Sequence, residues 1–233
     1  DYRANIAGQT NRSDFLDASQ GVFVEMIALN VNAFENRAAA FNLSEQSRAR
    51  SLLDDLASPL RNDDAQGQEK SAGDLSATDS VKPLTLAEVQ AALPDDLRLV
   101  SYSVTDRKTY IFQVTRAGVE YAESPVTGNE LARLVQDYVA NLKNRAPLDE
   151  LTENARQLYR YLIDPIAARL GDGLRLCIVP DKALHFLPFA ALVDDAGHYL
   201  IESHRLSYAP SASVLAQSLA ETRPKGVSRD EKL

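Results

Sequence analysis

Cys177 and His185 are the two residues here that invite a chemical reading, because a cysteine becomes a nucleophile only where a nearby base or cation lets the thiolate form at neutral pH. Cys177 is the single cysteine of the chain. It stands within Leu174-Arg175-Leu176-Cys177-Ile178-Val179, an apolar run in which burial raises a thiol's pKa and shuts out substrate. It is therefore read as a small buried hydrophobe. His185 is read as satisfying a backbone group near Pro180 rather than as a base. His198 and His204 lie six apart with Asp194, Asp195 and Glu202 close by. A zinc site wants three or four ligands, usually closer in sequence, so these are read as solvated hairpin residues. Ser211 and Ser213, at a helix start, could hold an anion on backbone donors, but capping by Ser211 accounts for them. No glycine-rich phosphate loop is present. The expectation is no catalytic residue, no cofactor and no metal at these positions.

The elements that must position these side chains read strand, turn, apolar platform, hairpin, strand and helix from Leu174 to Leu219. Leu174, Leu176 and Ile178 fall on one strand face and Cys177 and Val179 on the other. Both faces are apolar except at Arg175, as in strands covered on both sides. Pro180 cannot donate to a ladder and Asp181 favours a turn, so the strand stops there. In open α/β sheets, that carboxyl edge is where ligands bind. A second apolar run, Ala183 to Val193, is interrupted by Pro188 and precedes the turn residues Asp194-Asp195-Ala196-Gly197 and then Tyr199 to Ile201. His204 to Tyr208 alternates in the manner of a strand, and Pro210-Ser211 opens a helix through Leu219.

Upstream of this stretch, Asp1 to Asn11 is a polar lead-in. Phe15 to Leu29 and Ala33 to Leu56 carry apolar residues at helical spacing, the second with Phe34, Phe41, Leu52, Leu53 and Leu56. They make an αα-hairpin over residues 1–57, with Arg48, Arg50, Glu45 and Asp54 as its wet face or as a partner surface. One hairpin cannot bury its face alone, so it is read as a terminal repeat. Ser58 to Val81 has too few apolar residues to offset the entropy of ordering it, which makes residues 58–82 a linker.

An α/β domain is expected over residues 83–233. Thr85 and Glu88 form a capping-box pattern opening a short helix through Leu93. Leu97 to Val104, Lys108 to Thr115 and Val119 to Ala122 read as an antiparallel meander. Thr127 and Glu130 repeat the capping spacing before the stripe Leu131, Leu134, Val135, Tyr138, Val139 and Leu142. A further helix starts near Leu148, restarts at Asp164-Pro165 and stops at Gly171-Asp172-Gly173. Helices feeding into strands give an α/β sheet with helices against it.

With 233 residues, 45% hydrophobic and 25% charged, the composition is that of a globular protein of one to two domains. The formal net charge of −8 argues against a nucleic-acid surface, which needs clustered Lys and Arg. Nor is there a polybasic membrane patch. No apolar run approaches the roughly 20 residues that span a bilayer, and one cysteine fits a reducing cytosol, so a cytoplasmic location is expected.

Three stretches together resemble a known family. IVPDKALHFLPFAAL followed by YAPSASVL (178–192 and 208–215) resembles the opening of a CHAT domain, the caspase-like domain often found behind tetratricopeptide repeats. AFENRAAAFNLSEQSRARSLLDDLA (33–57) resembles the last repeat helix that precedes such domains, and LRLVSYSVTDRKTYIFQVTRAGVEY (97–121) their first hairpin. Lys182 stands where the family usually has glycine, which puts a turn of positive φ there in question. The resemblance implies a caspase-like α/β sheet, incomplete here, and a cysteine peptidase or a regulatory relative of one. Its catalytic histidine and cysteine would follow the helix that ends near Leu219, and ETRPKGVSRDEKL contains neither. The chain is then expected to be the front part of a bacterial-type repeat-plus-CHAT protein, inactive alone. Its partners would be the missing C-terminal half of the domain and a protein bound at the hairpin or the sheet edge. An interaction or assembly module without catalysis is the alternative.

Overall fold

The computed structural model describes residues 22–62 apart from 32 and 35, and residues 83–222 apart from 172; for residues 50–62 it describes the backbone. The lead-in, the start of the first helix, most of the expected linker and the side chains of Arg50 and Asp54 lie outside the described residues. The chain divides into two compact units, Asp1–Leu86 and Ala87–Leu233.

The first unit contains a helical hairpin. Helix α1 is described over residues 22–31 and α2 runs Arg37–Asn62. The sequence places the start of α2 at Ala33, but Asn36 sets it: its Oδ1 accepts the Ala39 N–H at 3.0 Å, satisfying a donor that the first turn leaves orphaned. Phe34 consequently falls in the connecting turn and is exposed. Ile27, Val31, Ala40 and Phe41 are buried. Glu45 is buried too and pairs with Arg48 one turn later. These two are not the wet face expected of them: each carries the opposite charge the other needs to leave water.

The second unit is a five-stranded mixed sheet in the order β3-β2-β1-β4-β5, preceded by a short helix α3 (Leu86–Ala92). Strands β1 (Leu97–Val104), β2 (Thr109–Val114) and β3 (Val119–Ser124) form the antiparallel meander. Strand β4 (Arg175–Val179) returns parallel to β1, and β5 (Arg205–Tyr208) lies parallel to β4. A parallel return needs a long crossover, which α4 (Gly128–Asn144), α5 (Leu148–Leu162) and α6 (Asp164–Leu170) supply. Leu131, Val135 and Tyr138 of α4, Ala155, Leu158 and Leu162 of α5, and Ile166 and Leu170 of α6 form one core with Val100, Tyr102, Ile111, Leu176 and Ile178 of the sheet.

Local chemistry explains the helix ends. Thr127 Oγ1 accepts the Glu130 N–H at 3.2 Å, as the capping spacing predicts. Gly128 is required at the first position of α4, because its N–H donates to Thr105 O at 2.7 Å and a Cβ there would lie 2.9 Å from that same oxygen. Pro165 sits in the first turn of α6, where its missing N–H costs nothing. The α/β class, the hairpin and the meander are those expected. Among the described residues, no helix is long and apolar enough to cross a membrane.

Candidate functional site

Strands β1, β4 and β5 run the same way, with Ser101 beside Val179 and Ile178 beside Tyr208, so their carboxyl ends converge on one edge of the sheet. This is the edge where open α/β sheets bind ligands. Strand β4 arrives there from the interior: Leu176, Cys177, Ile178 and Val179 are all buried, as its two apolar faces require.

After Pro180, the Asp181 carboxylate accepts the Val104 N–H at 2.7 Å. The turn leaving β4 is thereby tied to the end of β1, in a charge-assisted bond that no sequence signal announces. Lys182 follows with φ of +50°. The turn does need a positive φ, which corrects the expectation drawn from the missing glycine; the surrounding bonds hold a lysine in the left-handed region instead. Lys182→Gly is expected to raise stability by about 0.5–1 kcal/mol, since glycine enters that region without a Cβ clash but loses more freedom on folding. A lower urea midpoint for the glycine variant would contradict this.

Two 3₁₀ turns, Lys182–Phe186 and Phe189–Ala191, form the platform. Phe189 is buried against Tyr102 and Tyr208, with ring centroids 5.5 and 6.3 Å away. The Tyr138 hydroxyl donates to Ala191 O at 3.2 Å, and the Tyr102 hydroxyl donates to Leu162 O at 2.9 Å. Burial pushes both phenols above their ordinary pKa, Tyr102 most strongly. Phe186, three residues before Phe189, is 76% exposed.

The candidate residues are placed apart from one another. Cys177 is 1% exposed. Burial pushes its thiol up, and the Ser207 hydroxyl draws it down by less. His185 is exposed on the first 3₁₀ turn, beyond the strand end. It satisfies no backbone group near Pro180, contrary to expectation, because the 3₁₀ turn closes its own backbone bonds, Leu184 N–H to Asp181 O at 3.0 Å and Leu187 N–H to Leu184 O at 3.2 Å.

The segment expected to form a hairpin has one antiparallel bridge, Val193 with Tyr199, and then a short helix α7 (Leu200–Ser203). Glu202 explains the switch: its carboxylate accepts the Tyr199 N–H at 2.7 Å, satisfying a first-turn donor. Asp194 accepts the His198 N–H at 2.8 Å and lies 3.3 Å from Nδ1 of its ring. Burial pushes the Asp194 carboxyl up, but the bonds to His198 outweigh it and hold it below its ordinary value. His204 is not solvated: it is 8% exposed, ends α7 and has a buried Nδ1 without a partner. Among the described residues, no three His, Cys, Asp or Glu side chains are grouped to hold a metal.

Ser211 is the cap it was expected to be, its Oγ accepting the Val214 N–H at 3.2 Å at the start of α8 (Ala212–Thr222). One device was missed by sequence reasoning: Arg160 grips the Asp195 carboxylate at 2.8 and 3.1 Å from 35 residues away, pinning the 194–198 turn to α5. Composition and spacing carry no signal for a pair so separated.

No curated protein matches the chain. The family model described as the CHAT domain matches residues 152–230, taking in most of α5, then α6, β4, the platform, α7, β5 and α8; the resemblances over 33–57 and 97–121 lie outside it. The strand, the tied turn and the platform thus lie within the matched stretch, and it is over these residues that the chain is similar to the CHAT domain, a caspase-like, protease-related family.

Proposed function

We propose that this chain belongs to a repeat-plus-CHAT protein, by resemblance a caspase-like cysteine peptidase or a regulatory relative of one, working in the cytoplasm, and that these residues do not cleave peptide bonds by themselves. The observation that carries this reading is the placement of the chain's one thiol. Cys177 is sealed within β4, and burial holds it protonated, whereas a cysteine peptidase needs an accessible thiolate beside a base. Incubated with a peptide library, the chain is expected to produce no cleavage, before or after Cys177→Ala. Cleavage abolished by that substitution would overturn the proposal.

The partner reading rests on the two sheet edges. On β3, Glu120 and Glu123 are exposed and Lys108 pairs with Glu123 at 2.6 Å, charges that discourage another strand from pairing. Edge strand β5 has Arg205 as its one charge, and Tyr208 is 52% exposed. Such an edge suits pairing with a strand of further polypeptide, while the hairpin receives a protein partner. By itself the chain is then expected to self-associate heterogeneously through β5, and substituting Leu206 by lysine to blunt the edge should reduce this. A monodisperse species on size exclusion, unchanged by that substitution, would instead favour an assembly module complete in these residues.

A further inference from the structure

We draw no further inference here: the strongest candidate, the exposed apolar stripe of Val22, Met26 and Leu29 on α1, carries nothing because the structure does not show what covers it.

Discussion

Phe189→Ala is expected to remove about 3–5 kcal/mol of stability, the range for deleting a large aromatic side chain from a packed core. Phe189 is 0% exposed, and its ring meets Tyr102 of β1 and Tyr208 of β5 at once. Its removal takes contacts from both strands, and Tyr102 on one side is tied through its hydroxyl to Leu162 O, which resists its moving into the gap. Domains of this size are stable by only about 5–15 kcal/mol, so the variant should sit near its folding threshold. Phe186→Ala is the control. At 76% exposed that side chain has little burial to lose, and its truncation should stay within about 0.5 kcal/mol. Urea midpoints of the two variants test the pair. Equal losses, or a larger one at Phe186, would show that the platform is not what joins β1 to β5.

Alkaline pH is expected to unfold this protein steeply, and Tyr102 is expected to be the main reason. Its phenol is wholly buried and pushed far above its ordinary value by desolvation, because ionising it would leave a charge in the core facing the Leu162 carbonyl that its hydroxyl now donates to. In the unfolded chain the same phenol ionises near pH 10. A group whose folded pKa is the higher stabilises fully below the unfolded value and loses that stabilisation as pH rises beyond it. For Tyr102 the loss is about 1.4 kcal/mol per pH unit above pH 10. Cys177, Tyr138, Tyr159 and Tyr208 are raised by burial as well and act in the same direction. Tyr102→Phe should cost about 1 kcal/mol at pH 7 by leaving a carbonyl unpaired, yet flatten the decline between pH 10 and 12. Urea midpoints measured at intervals from pH 7 to 12 would show it. Parallel declines in the two proteins would remove Tyr102 from the explanation.

Much of the second unit could be read locally. The limits of β1 coincide with those expected, Leu97–Val104, because alternating and β-branched residues end at turn-forming ones. Thr127 caps α4 and Ser211 caps α8 as their spacing requires, and Pro165 restarts a helix where proline is tolerated. Strand β4, apolar on both faces, is interior. These features depend on interactions within a few residues, which a linear sequence displays.

The features left unread or misread share the opposite property. Phe186 and Phe189 are alike in the sequence, yet one is solvated and the other packed between two strands, since burial depends on what distant segments bring. His204 was expected to be wet and is buried; Glu45 and Arg48 looked like an outer face and form an ion pair removed from water. Lys182 adopts a backbone conformation its side chain disfavours because Asp181 is tied to β1, 77 residues away. The sequence by itself determined the limits of β1, the caps of α4 and α8 and that Cys177 belongs to a core. Only the tertiary structure decided which polar groups find partners and which aromatic ring is covered, because those choices are made by contacts across the fold rather than along the chain.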